Sequence, residues 1–174
     1  MARVGIALGS NLGDREAHMH AAVAALRELS LPGEPVLLAP FYETAPCFCP
    51  PGSPAFLNTV VEIARDGDAP GFLELLLTIE ASLGRVRGNI RNAPRVIDMD
   101  LLYMGDQMLE SDTITLPHPR IFERRFVLQP LADIRPGLVL PGQTQSVREM
   151  LELLPEDDAS MSLYGRVPPT PLSE

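Results

Sequence analysis

The stretch RNAPRVIDMDLLYMG, residues 91–105, decides how the rest of the chain is read. Val96, Ile97, Met99, Leu101, Leu102 and Tyr103 predict a strand over 95–104, and Gly105 ends it. Two acids, Asp98 and Asp100, stand in its middle. Side chains alternate along a strand, so the acids share one face while Ile97, Met99 and Leu101 occupy the other. One face suits a core and the other carries charge.

Upstream, RVGIALG (3–9) reads as a strand leading into the turn GSNLGD, where Asp14 can cap a helix over REAHMHAAVAALREL. LPGEP breaks that helix. A second strand is expected over 36–44, a proline-rich loop at APCFCPPGSP, and a third strand over 56–64 that alternates around Val60, Glu62 and Ala64. GFLELLLTIEASLG (71–84) predicts an amphipathic helix ending at Gly84. After the acidic strand come a hairpin near GDQMLESD, a turn at PHP, a helical stretch, and a last helix at QSVREMLELL. The order β-α-β-β-α-β predicts a ferredoxin-like α/β (α+β) fold, with a central mixed or antiparallel sheet and helices on both faces. Residues 1–155 form one domain in this reading, and 156–174 a flexible tail.

The chain has 174 residues, 45% hydrophobic and 21% charged, as in ordinary globular domains. No apolar run reaches the roughly 18 residues of a membrane span, and the N-terminus lacks a signal peptide's layout. A cytoplasmic protein without membrane contact is expected. The formal net charge of -9 argues against a nucleic-acid binder. Cys47 and Cys49 are too close for an unstrained disulfide and too few for a zinc site, so they read as incidental thiols.

The acid pair needs a partner. At ~4 Å and an effective dielectric of about 20, two carboxylates repel by roughly 4 kcal/mol. A shared proton, arginines or a divalent cation can offset this. A bare D-x-D fits a wet strand face equally well. The surroundings favour phosphate chemistry, because Arg85, Arg87, Arg91 and Arg95 precede the acids and Arg120, Arg124 and Arg125 follow. Carboxylate oxygens hold Mg²⁺, guanidinium groups hold phosphate oxygens, and two magnesium ions can clamp a transferring phosphoryl group. No G-x-x-x-x-G-K-[ST] occurs. LGSNLGD has no lysine and the wrong glycine spacing for a phosphate cradle.

Three blocks, ALGSNLGD, GRVR…R-x-A-P-R-x-x-D-x-D-L-L and LPHPR…RRFVLQPL, resemble the 6-hydroxymethyl-7,8-dihydropterin pyrophosphokinases from about residue 3 to about 150. The resemblance implies transfer of pyrophosphate from ATP to the pterin's hydroxymethyl oxygen, releasing AMP, with two Mg²⁺ ions, in folate biosynthesis. It implies that Asp98 and Asp100 are the magnesium ligands, and that Arg85, Arg87 and Arg95 belong to a loop closing on the ATP phosphates. His118 and Arg124 match further phosphate contacts, Leu101 and Thr115 line the adenine site, and Glu80 lies near the nucleotide. Asn58 and Thr44 match groups at the pterin's polar edge, and Phe56 and Phe126 match aromatics at its faces. A monomer is expected. The chain departs from the family at Asn92, often a tryptophan; at Met99, Pro119 and Leu77; and in PCFCPPGSP. Two rivals remain at this stage: a Mg²⁺-dependent phosphohydrolase or nuclease, and a ligand-sensing module.

Overall fold

The computed structural model describes residues 1–46, 49–155 and 161–165. Cys47 and most of the predicted tail lie outside them. β1 (Ala2–Ser10) is followed by α1 (Arg15–Leu29), whose N-cap is Asp14: its carboxylate accepts the Ala17 N–H at 3.1 Å. β2 (Leu37–Leu38), β3 (Tyr42–Thr44) and β4 (Phe56–Arg65) come next, then α2 (Ala69–Ser82), β5 (Asp98–Met104) and the small hairpin β6 (Leu109–Glu110) and β7 (Thr115–Leu116). A 3₁₀ turn (Pro119–Glu123) leads into α3 (Arg125–Ile134) and α4 (Val147–Leu153). The last described strand is β8 (Met161–Leu163).

The main sheet runs β5-β1-β4-β3-β8, with β2 also pairing β4, and every pairing is antiparallel. The sheet is therefore antiparallel rather than mixed. α1 and α2 cover one face, where Met19, Leu26, Phe72 and Leu76 pack with Ile6, Ile97, Met99 and Leu101. α3 and α4 cover the other, where Leu128, Leu131 and Met150 pack with Val60, Leu102 and Tyr103. The split of apolar residues expected for the acidic strand is the one observed.

Several expectations are corrected. The strand over 36–44 is two pieces, because Pro40 has no N–H for the ladder. The Thr59 hydroxyl fills the gap, donating to the Ala39 carbonyl at 2.9 Å and to that of Pro40 at 3.1 Å. β5 starts at Asp98 rather than residue 95, and α2 starts at Ala69, capped by Asp68. β4 has no wet face, because helices cover both sides. Its Glu62 is fully buried and held by Arg3, Arg135 and the Tyr103 hydroxyl. Gly5 makes room there, since a Cβ would lie 2.3 Å from the Tyr103 ring. The predicted tail is not all loose: Met161–Leu163 pairs with β3, supplying backbone partners to an edge strand.

Candidate active site

In an antiparallel pair, directly opposed residues point to the same face. The register places Asp98 opposite Gly9, Gly9 opposite Asn58, and Asn58 opposite Tyr42. Asp100 lies opposite Ala7. This row crosses the face that carries α3, at the end of the sheet where α3 begins. Tyr42 is tied to α3 through a hydrogen bond to Asp133.

Over the row opens a cleft of about 1560 Å³. All fourteen residues singled out from the sequence line it: Thr44, Phe56, Asn58, Glu80, Arg85, Arg87, Arg95, Asp98, Asp100, Leu101, Thr115, His118, Arg124 and Phe126. Arg91, Arg120 and Arg125 join them, so seven arginines face five carboxylates, those of Glu80, Asp98, Asp100, Asp112 and Glu123. The cleft is thus net cationic within a chain of charge -9. That contrast favours a polyanionic ligand at this one place.

Asp98 is the hub of the ion pairs. Arg85 Nη1 reaches its Oδ1 at 2.5 Å, and Arg95 Nη1 reaches its Oδ2 at 3.1 Å. Arg85 also meets Glu80 Oε1 at 3.0 Å, and Arg87 meets Glu80 Oε2 at 3.3 Å. Glu80 is 2% exposed and accepts the Met99 N–H at 2.7 Å, which binds α2 to the back of the acidic strand. Burial raises the Glu80 carboxyl's pKa, against the pull of that N–H and of Arg85. Asp100 makes no ion pair within 4 Å among the described residues. Burial, then the neighbouring Asp98 charge, pushes its carboxyl from the usual 3.8 up to about 7, and Arg124 only partly opposes them.

The opposite wall is aromatic. The Arg95 guanidinium lies 5.8 Å from the centre of the Phe56 ring, and that of Arg124 lies 5.4 Å from Phe126. Asn58 Nδ2 donates to Thr44 Oγ1 at 2.7 Å, which leaves the amide oxygen towards Gly9. A Cβ on Gly9 would lie 3.0 Å from that oxygen. His118 Nδ1 accepts the Arg120 N–H at 3.2 Å, so its ring is neutral. Burial, then Arg124 and Arg120, lower its pKa. Pro119 and Leu77 line the cleft, and Asn92 bends the arginine-rich loop with φ +56°. Sequence reasoning missed Gly9 and the ties made by Asn11, described below. The only signal was their place in a Gly/Asn turn after a strand.

The donor set suits magnesium. Among the described residues no cluster of three or more His, Cys, Asp or Glu side chains forms a protein-only cage. Two carboxylates on one strand face match an ion that keeps waters and takes substrate phosphates as its other ligands.

The acid pair and the seven arginines of the cleft suit a protein that acts on a metal-bound phosphate compound. A family model described as 7,8-dihydro-6-hydroxymethylpterin-pyrophosphokinase (HPPK) matches residues 5–136. A 2-amino-4-hydroxy-6-hydroxymethyldihydropteridine pyrophosphokinase of Methylorubrum extorquens is 41% identical over 154 residues, covering 88% of this chain and 94% of the relative. One of Bacillus subtilis is 41% identical over 129 residues, covering 74% and 75%. A solved Plasmodium falciparum HPPK-DHPS chain, a triple mutant with pteroate, has the same fold at a TM-score of 0.65 and 13% identity, over 87% of this chain and 43% of that longer one. This chain belongs to the HPPK family.

Proposed function

We propose that the cleft aligns a magnesium–ATP complex and a reduced pterin through the residues that line it. The reaction is pyrophosphoryl transfer from ATP to the hydroxymethyl group of 6-hydroxymethyl-7,8-dihydropterin, in folate synthesis. The pterin hydroxyl oxygen forms a bond to the β-phosphorus of ATP, and its proton passes to a carboxylate or phosphate oxygen. The bond from that phosphorus to the α,β-bridging oxygen breaks, and AMP leaves with the electron pair.

Asp98 and Asp100 would hold two Mg²⁺ ions, which neutralise and polarise the triphosphate. Arg85 and Arg95, paired with Asp98 here, would be free to reach phosphate oxygens when Asp98 holds an ion. Arg87, His118 and Arg124 supply further phosphate contacts, and a neutral His118 donates or accepts without adding charge. Glu80 orients Arg85 and Arg87. Leu101 and Thr115 border the adenine side. Asn58 and Thr44 offer an amide and hydroxyl to the pterin's edge, and Phe56 and Phe126 offer ring faces. Catalysis is then mostly alignment and charge compensation. The expected oligomeric state is a monomer. No helix among the described residues is long and apolar enough to cross a membrane. A cytoplasmic location is part of this proposal.

The observation that carries this reading is the row Asp98–Gly9–Asn58, which sets the acids and the amide side by side on one sheet face. The test mixes protein, ATP, Mg²⁺ and reduced 6-hydroxymethylpterin and follows phosphorus resonances. AMP and a pterin diphosphate are expected in equal amounts, and none without Mg²⁺. Formation of ADP or free phosphate instead would point to a kinase or phosphohydrolase of another kind.

A further inference from the structure

The turn after β1 ties both walls of the cleft to one side chain that does not line it. Asn11 is 1% exposed. Its backbone N–H donates to the Arg95 carbonyl at 3.1 Å, and its Oδ1 accepts the Arg95 N–H at 2.8 Å. These two bonds pin the backbone of Arg95, three residues before Asp98. The Asn11 Nδ2 donates to the Pro54 carbonyl at 3.3 Å, two residues before Phe56. A carboxamide can accept from one backbone segment and donate to another through a single planar group. Arg15 adds a second tie on the Phe56 side, donating to the Ala55 carbonyl at 3.0 Å and pairing with Glu43 at 2.7 Å.

We propose that Asn11 is a positioning residue that couples the nucleotide wall to the pterin wall. It holds Arg95 where its guanidinium reaches Asp98, and it holds the 50–55 loop where Phe56 faces the ring. The proposal rests on the reading of the cleft as a pterin pyrophosphokinase.

The two ties can be cut separately. Asn11→Asp keeps the oxygen that accepts from Arg95 but sets an oxygen against the Pro54 carbonyl, releasing only the pterin wall. Asn11→Ala removes both side-chain bonds and leaves Arg95 only the backbone bond from residue 11 to its carbonyl. With wild-type turnover to AMP and pterin diphosphate as the baseline, Asn11→Asp is expected to raise the pterin KM about tenfold, as the loss of one buried hydrogen bond implies, with kcat within about threefold. Asn11→Ala is expected to add a fall in kcat of about tenfold or more. Arg65→Ala removes a 3.0 Å bond to the Leu29 carbonyl away from the cleft and serves as a control. It should lower Tm and leave both constants in place.

Wild-type pterin KM in Asn11→Asp overturns the proposal, as does wild-type kcat in a folded Asn11→Ala. Losses in both variants that match those of Arg65→Ala at equal Tm overturn it too, because they would be stability alone. If Asn11→Ala does not fold, Asn11→Asp decides by itself. A wild type that makes no pterin diphosphate brings down the functional reading, and this proposal with it.

Discussion

Replacing Gly9 by Ala tests whether the bare stretch of sheet between Asp98 and Asn58 has a purpose. A Cβ there would lie 3.0 Å from Asn58 Oδ1, 3.6 Å from the Phe56 ring and 3.8 Å from the Leu57 carbonyl. The first distance is too short and the others are ordinary contacts, so the Asn58 amide must give way by a few tenths of an ångström. Its 2.7 Å bond to Thr44 Oγ1 then lengthens to roughly 3.0 Å and the amide turns away from its present aim. Weakening a buried hydrogen bond worth about 1 kcal/mol and misaiming the amide at the pterin edge together cost on the order of 1–1.4 kcal/mol. This predicts about a 5- to 10-fold loss of pterin affinity at roughly 1.4 kcal/mol per tenfold. Stability should hardly change, since an Ala in a strand recovers about 0.5–1 kcal/mol of backbone entropy. The assay is pterin binding by fluorescence, with ATP binding and Tm measured beside it. In an Asn58→Ala background the Gly9 substitution should have no further effect, because the clash is gone. A Gly9→Ala protein with pterin affinity within twofold of wild type would refute the reasoning. Equal loss of ATP affinity would also refute it, by showing a general collapse of the sheet end.

Asp100→Asn should abolish turnover yet raise the Tm of the metal-free protein by a few degrees, because it removes a buried charge beside Asp98; melts without Mg²⁺ at pH 8 check this. Arg95→Ala should lower kcat by about a hundredfold while changing pterin affinity little; equal losses in kcat and affinity would mean simple ground-state contact. His118 titrates below its ordinary range, so between that lowered value and about pH 6.5 the unfolded chain binds a proton that the folded chain does not. Taken alone, His118 lowers stability on acidification below about pH 6.5, while Asp100 and Glu80, whose carboxyls are raised, act in the opposite sense. Relative to wild type, a His118→Asn variant should therefore gain stability as the pH falls through that window, read from paired pH-dependent melts.

The elements were legible where local rules acted alone. Asp14 caps its helix as a short acid before apolar periodicity should, and the period-2 pattern at 97–101 separates core from cleft. What was hidden depends on partners distant in sequence. Glu62 reads as a polar alternation mark, but Arg3 and Arg135 reach it from 59 and 73 residues away. β8 has no strong strand pattern and exists because β3 has an unpaired edge. The arginines and acids of the site were visible as residue types, and three blocks of resemblance gave their roles. Gly9 and Asn11 were not, because a glycine's reason is the atom it makes room for and a buried amide's reason is the backbone it meets.

The sheet register explains why so small a fold can place two substrates. Neighbouring strands lie about 4.8 Å apart, so Asp98 on β5 and Asn58 on β4 stand roughly 10 Å apart across Gly9. That is about the span from a bound polyphosphate to the far edge of a bicyclic ring. The distance is fixed by ladder hydrogen bonds rather than by loops, so it survives movement of the arginine-bearing segment. A one-residue slip of β5 against β1 would turn both acids into the α1–α2 core and put apolar side chains in their place on the α3 face. Ile97, Met99 and Leu101 oppose that slip, each almost fully buried on the far face. The apolar half of IDMD is therefore part of the catalytic alignment, although none of its side chains would meet a phosphate: it sets the face on which the two aspartates stand.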